Sequence, residues 1–160
     1  MDVPVTRQLV EAFYDAFTTC DPGRIAATLT HDVEWQMDGP VSVFPFCGHR
    51  RGKAPVLDLL TRHKAEILPV RRVDQEDIVI DGQRAAVFAK ITAIHKQTGR
   101  VVVFHCVHFL TFRDGLVSAV YCIADTFDAA EQVIGHRIDA YHEPQGGMPF
   151  SDRQQDIVVI

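Results

Sequence analysis

Apolar side chains recur at helical spacing in three segments near the start of the chain. Between residues 6 and 20 they repeat every three or four positions, which predicts an amphipathic helix with Thr6 as its N-cap. Asp21-Pro22-Gly23 interrupts this pattern, and an aspartate followed by proline predicts the start of a short second helix. A third helix with one apolar face is predicted over residues 53–68.

The pattern then changes to strand-like runs separated by short connections that each hold a glycine, as β-hairpins favour. The runs cover residues 70–81, 85–95, 101–112 and 116–125. A shorter strand is expected at 33–37, followed by a loop over 41–51. Helices first and an antiparallel meander second predict an α+β fold, in which three N-terminal helices pack on one face of a curved, mostly antiparallel sheet.

Composition and charge narrow the class of protein. The chain has 160 residues, which is enough for one domain with a sizeable core, and its net charge is −5. A nucleic-acid-binding protein would usually show a basic stripe instead. The apolar runs are far shorter than the roughly 18 residues that span a bilayer. Met1-Asp2-Val3-Pro4 does not resemble a secretion signal. We therefore expect a cytoplasmic protein with no nucleic-acid or membrane partner.

The sequence offers no pattern typical of a metal or cofactor site. Its four cysteines, Cys20, Cys47, Cys106 and Cys122, form neither a CxxC pair nor a zinc-ligand spacing. His105 and His108 are three apart on a predicted strand, so they face opposite sides. A glycine-rich phosphate loop is also missing. We expect reduced thiols, no metal and no cofactor.

Five short segments, in a fixed order along the chain, carry a resemblance to a known superfamily. They are Cys20-Asp21-Pro22, residues 29–35, residues 44–52, residues 108–115 and Ala124-Asp125-Thr126. With them the chain resembles NTF2-like proteins, of the group that contains SnoaL-type polyketide cyclases and ketosteroid isomerases. The resemblance implies a cone, a strongly bent sheet wrapped around the helices, over residues 1–135. Residues 136–160 would then be a C-terminal extension.

The resemblance also implies a homodimer formed through the outer face of the sheet. Apolar residues predicted to face outward on the meander agree with this: Val101, Val103, Val107 and Phe109. Ketosteroid isomerases use a tyrosine, a general-base aspartate and a protonated carboxyl. The resemblance places these at Phe13, Met37 and His108, and it therefore implies that the isomerase set of residues is absent.

His108 is the leading catalytic candidate. By the two-residue period of a strand it shares one face with Phe104 and Cys106. An imidazole there would exchange a proton with a bound ligand. The alternative is a core histidine hydrogen-bonded to a backbone carbonyl or a carboxylate.

Two carboxylates are further candidates. Asp125 ends the last predicted strand, where related proteins carry a working carboxylate, and the alternative is a helix N-cap for residues 126–132. Asp38 lies at the expected pocket mouth, and the alternative is an Asp-Gly-Pro turn.

The remaining candidates would line an apolar pocket: Phe13, Phe17, Trp35, Phe46, Leu60, Phe104, Cys106 and Tyr121. Such a pocket suits a small apolar ring compound. Two classes of function follow. One is a cofactor-free enzyme that performs acid–base chemistry of the isomerase, dehydratase, cyclase or hydrolase type. The other is a non-catalytic ligand-binding or dimeric assembly domain.

Overall fold

The computed structural model describes residues 3–139 as a curved, unclosed sheet with helices packed against it. The helices are α1 (Arg7–Thr19), α2 (Pro22–Ala26), α3 (Lys53–Asp58), α4 (Lys64–Ile67) and α5 (Thr126–Ile134). The strands are β1 (Leu29–Met37), β2 (Gly48–Arg51), β3 (Val70–Asp81), β4 (Arg84–Ile94), β5 (Val101–Arg113) and β6 (Leu116–Ala124). A π-helical turn, Leu59–His63, joins α3 to α4.

The strands lie in the order β2-β1-β6-β5-β4-β3. All neighbouring pairs are antiparallel except β1 and β6, which run parallel. The last four strands therefore form the predicted antiparallel meander. The predicted α+β fold, an NTF2-like cone with a mostly antiparallel sheet, is confirmed.

Side-chain caps set where the first two helices begin. Thr6 Oγ1 accepts a hydrogen bond from the Leu9 amide at 3.3 Å, and Asp21 Oδ1 accepts one from the Arg24 amide at 2.8 Å. Pro22 opens the second helix. These oxygens satisfy amide groups that the first turn of a helix leaves unpaired. Both caps were expected from the sequence.

The core lies between α1 and the inner face of the sheet. The α1 residues that face the sheet are Val10, Phe13, Tyr14, Ala16 and Phe17, all buried. On β5 the even-numbered residues from 102 to 112 are buried, while the odd-numbered ones are exposed or partly so. This alternation follows from the two-residue period of a strand, and it gives the sheet one face in the core and one outside.

The predicted third helix contains an irregularity that its sequence pattern does not predict. It runs from α3 through the π-helical turn into α4 and ends at Ile67. A π-helical turn holds more residues than an α-helical turn, so it shifts the angular position of whatever follows. Lys64 is the first residue after it, and the functional site depends on where this lysine points.

Two strand assignments differ from the sequence predictions. β1 begins at Leu29, before the predicted start at residue 33, because the segment before the bulge also pairs with β6. β2 lies inside the segment that we predict as a loop. Its four residues, Gly48–Arg51, show no buried apolar side chain, and backbone pairing with β1 holds them.

No helix within residues 3–139 is both long and apolar enough to cross a membrane. Most of the predicted C-terminal extension, residues 140–160, lies outside the described residues.

Candidate functional site

Four aromatic side chains meet at the centre of the inner face. Tyr14 and Phe17 come from α1, Trp35 from β1 and His108 from the middle of β5. The Tyr14 hydroxyl lies 2.7 Å from His108 Nδ1, in a buried hydrogen bond. Phe17 stacks on Trp35 with ring centres 6.0 Å apart, and both rings lie 6.3 Å from the imidazole. The polar pair is therefore enclosed by apolar rings.

Burial keeps both members of this pair neutral. Burial, with a smaller contribution from the nearby Lys64 ammonium, lowers the pKa of His108 to about 3. Burial also raises the pKa of Tyr14 well above its usual value of 10.0. A neutral phenol and a neutral imidazole are both able to donate and to accept a hydrogen bond. The pair therefore suits hydrogen bonding to a ligand better than it suits carrying a charge.

A lysine that the sequence analysis did not select lies beside this cluster. The Lys64 ammonium lies 4.9 Å from the centre of the Phe17 ring and 5.9 Å from that of Phe46. Part of the Lys64 residue remains accessible, but its ammonium faces the interior, and burial lowers its pKa. The electrostatic influence of four thiols acts in the opposite direction; they belong to Cys122, Cys106, Cys47 and Cys20.

Two of these thiols also lie close to His108. The ligand atoms of Cys106, His108 and Cys122 all fall within 4.8 Å of one another, and all three residues are buried. Two thiolates and an imidazole are ligands that Zn²⁺ accepts. The neighbouring Lys64 ammonium opposes a second cation there, because like charges repel strongly in a poorly solvated interior. The expectation that the chain binds no metal thus stays a prediction.

The interior beside Lys64 is closely filled. A crevice of about 10 Å³ lies between the end of α1 and the start of β3, and Phe17, Cys20, Leu60 and Lys64 are among its lining residues. This volume accommodates about one water molecule. Larger recesses, of about 240 and 150 Å³, lie at the outer face of the sheet, where Phe109 borders both. A pocket for a ring compound inside the cone is not confirmed.

The structure separates the three candidate catalytic residues. His108 lies inside the cone. Asp125 is exposed and caps α5, because its Oδ1 accepts a hydrogen bond from the Asp128 amide at 3.1 Å. Asp38 is also exposed, and its Oδ2 accepts a hydrogen bond from the Tyr121 hydroxyl at 2.6 Å. Hydrogen bonds from Tyr121 and then Gln36 lower the pKa of Asp38. Neither carboxylate contacts the imidazole.

Of the expected lining residues, Tyr121 is in the wrong place. It pairs with Phe109 across β5 and β6, and odd-numbered residues of this part of β6 face outward. The others are buried: Phe13, Phe17, Trp35, Phe46, Leu60, Phe104 and Cys106.

Tyr14 and Lys64 were not among the residues selected from the sequence, although helical spacing offered a signal for Tyr14. Tyr14 follows Val10 by four residues and precedes Phe17 by three, so it lies on the apolar face of α1. Lys64 offered no comparable signal, because the π-helical turn before it breaks the regular spacing and a lysine there is easily taken for a solvated one.

Comparison with known proteins identifies the family. The model of the SnoaL-like domain matches residues 10–120. The chain belongs to the SnoaL-like domain family. No protein of curated function matches this SnoaL-like chain in sequence.

Solved structures agree with this assignment. A candidate isomerase from Rhodopseudomonas palustris is 25% identical with a TM-score of 0.76, and the match covers 82% of this chain and all of that one. An NTF2-like protein from Burkholderia xenovorans is 26% identical with a TM-score of 0.65, over 79% of this chain and 93% of that one. An LEH-like epoxide hydrolase from M. tuberculosis shares the fold at 20% identity, with a TM-score of 0.65 over 80% and 88% of the two chains.

The position of Asp125 predicts a structural role that can be measured. Asp125→Ala removes the cap of α5 and should lower the free energy of unfolding by about 0.5–2 kcal/mol. Asp125→Asn keeps a capping oxygen and should stay close to wild type. Urea unfolding of the three proteins checks this. Equal losses for both variants would show that the carboxylate charge, rather than the cap, is what matters.

Neutral burial of His108 predicts a pH-dependent stability. The histidine pKa rises from about 3 in the folded chain to its ordinary value near 6.5 on unfolding. The unfolded chain therefore binds the extra proton between these values. The stability that neutral His108 contributes is complete above pH 6.5 and is lost progressively as the pH falls toward 3, by up to about 5 kcal/mol.

Urea titrations across this pH range test the expectation, with His108→Gln compared against wild type. The variant should lose stability much less steeply with acid than the wild type does. His105→Gln, on the exposed face of the same strand, is the matched control and should keep the wild-type slope. If the wild type and His108→Gln show the same slope, the imidazole is not held neutral by the fold.

Proposed function

We propose that this SnoaL-like domain binds a small ring compound inside its cone and polarises one ligand oxygen through Tyr14 and His108. The reaction would be cofactor-free acid–base chemistry of the isomerase, dehydratase, cyclase or hydrolase type. The observation that carries the proposal is the buried 2.7 Å hydrogen bond between the two side chains, enclosed by aromatic rings. A few polar groups in an apolar enclosure are typical of small-molecule sites.

The hydrogen bond allows two arrangements of protons. When the Tyr14 hydroxyl donates to His108 Nδ1, the Tyr14 oxygen is left to accept from a ligand. When Nδ1 carries the proton and donates to the Tyr14 oxygen, the hydroxyl proton is free to point at a ligand oxygen. In the second arrangement the imidazole strengthens the hydroxyl as a donor, because hydrogen bonds in a chain polarise one another.

The pKa of His108 decides which catalytic role it suits. With a pKa of about 3 the imidazole is a weak base, far from the neutral value that favours proton abstraction. It suits support of Tyr14 as a donor to developing negative charge on a ligand oxygen. Similarity to the candidate isomerase from Rhodopseudomonas palustris, at 25% identity, supports chemistry of this kind.

A ligand needs more room than the filled interior offers. Small-molecule pockets typically measure about 300–1,000 Å³, against the crevice of about 10 Å³ beside Lys64. The long, flexible Lys64 side chain and the neighbouring ring of Phe17 line this crevice. Movement of these two side chains would open the interior toward the buried hydrogen bond.

Deuterium exchange tests the proposal without a known substrate. Cyclohexanone and related cyclic ketones exchange the hydrogens beside the carbonyl in D₂O when a buffer base removes one of them, and a donor to the carbonyl oxygen accelerates this step by stabilising the enolate that forms. We expect the wild type to accelerate it and Tyr14→Phe to lose about 10²-fold of that acceleration or more. Proton NMR measures the rates, and Tyr121→Phe, on the outer face, is the control. Exchange at the buffer rate with all probes would contradict the proposal.

A second candidate function is a non-catalytic, dimeric assembly domain. Two observations favour it: the interior is filled, and the outer face of the sheet is apolar. Val101 is 59% exposed and Phe109 is 47% exposed on that face. Exposed apolar patches of this kind mark contacts with partners. We propose a second copy of this chain as the partner, in a symmetric arrangement.

Light scattering at micromolar concentration tests the dimer. The wild type should show twice the chain mass of 17.9 kDa. Phe109→Glu should shift the mass to that of one chain, because it places charge in the buried contact. Phe127 is 55% exposed and belongs to α5 rather than to a strand of the sheet, and Phe127→Glu should leave the dimer intact. A wild type that scatters as one chain would rule out this association.

A further inference from the structure

Lys64 is a feature of the interior that the proposed function leaves unexplained. Its ammonium faces two aromatic rings, Phe17 and Phe46. Within residues 3–139, this ammonium has neither a carboxylate nor a hydrogen-bond acceptor as a partner. Its pKa is affected only by burial and by the four thiols. By contrast, the Lys53 ammonium donates a hydrogen bond to the Ala26 carbonyl at 2.9 Å. Lys64 is therefore an inward-facing cation without a counter-ion in the described chain.

Such an arrangement is costly unless something compensates for it. Removing an ammonium from water disfavours its charged form, which is why burial lowers the pKa of Lys64. Contacts with the faces of aromatic rings offset only part of this cost. An uncharged side chain of the same length would fill this place without the penalty. The position thus favours a ligand that brings negative charge.

We infer that the ring compound carries an acidic oxygen, as a carboxylate, enolate or phenolate, that pairs with the Lys64 ammonium. This inference rests on the proposed function and names its substrate class. Phe17 lies between the ammonium and the polar pair. The Lys64 ammonium is 4.9 Å from the centre of the Phe17 ring, and the centre of the His108 ring is 6.3 Å from it. One small ring beside Phe17 would reach the ammonium with its acidic oxygen and the Tyr14–His108 pair with a second oxygen.

The structure also supplies a reporter of binding. Trp35 is the chain's single tryptophan, it is buried, and it stacks on Phe17 at 6.0 Å. Movement of Phe17 or entry of a ligand would change its surroundings and therefore its fluorescence. The distant surface offers no second tryptophan to obscure this signal.

The experiment compares acids with neutral probes of the same shape. Cyclohexanecarboxylate is matched with cyclohexanecarboxamide, and benzoate with benzamide. Calorimetry measures all four, and Trp35 fluorescence follows the cyclohexane pair. In the wild type each acid should bind at least about tenfold more tightly than its amide, as a charge-assisted hydrogen bond allows.

Substitutions assign the preference to Lys64. Lys64→Met replaces the ammonium with an apolar side chain of similar length, and Lys64→Gln keeps a polar end without the charge. Both should bind acid and amide alike, so that the ratio of the two affinities falls to about one in each variant. Lys96 is exposed, and Lys96→Met is the matched control that should keep the preference. Circular dichroism confirms that each variant is folded.

The outcomes separate this inference from the proposed function. If acid and amide bind equally to the wild type, or if the preference survives in both Lys64 variants, the inference is overturned and the proposed ring-binding function stands. If none of the four probes binds at millimolar concentration, the proposed function fails and this inference fails with it. A preference lost only in the Lys64 variants supports both.

Discussion

The hydrogen bond between Tyr14 and His108 joins two parts of the chain that are 94 residues apart. It links the middle of α1 to the middle of β5, so the helix is fixed in rotation and position over the centre of the sheet. Each group would be costly to bury alone, because an unsatisfied buried donor or acceptor loses about 1–3 kcal/mol. The surrounding rings can pack closely because Tyr14 and His108 satisfy each other's need for a hydrogen-bond partner.

The π-helical turn sets the direction in which the charged Lys64 side chain points. Without the additional residue of Leu59–His63, Lys64 would take a different angular position around the helix axis. In the observed structure its ammonium lies over Phe17, the same ring that contacts His108. An irregularity in one helix and a regular apolar face in another therefore bring a cation and a neutral polar pair to a shared aromatic side chain.

The sequence predicts the fold much better than it predicts this site. Strand alternation and glycine-containing connections give the meander, and side-chain acceptors give both helix starts, because these signals are local. Alternation also places His108 inside and His105 outside correctly. The partner of His108 cannot be found this way, because it depends on how α1 is rotated over the sheet. Asp38, Asp125 and Tyr121 do not join the site, because all three are exposed on the outside of the cone. There Asp125 caps α5, and Asp38 accepts a hydrogen bond from the Tyr121 hydroxyl.

Lys64 and His108 are coupled electrostatically, and this coupling connects the two proposals. The positive charge of Lys64 contributes, after burial, to the low pKa of His108. An anion paired with Lys64 would cancel part of that contribution and raise the imidazole's affinity for a proton. Burial would still hold the pKa below its ordinary value. Arrival of an acidic ring compound would thus improve His108 as a proton acceptor at the moment when a ligand oxygen is within its reach, whereas an uncharged ligand would leave it a weak base.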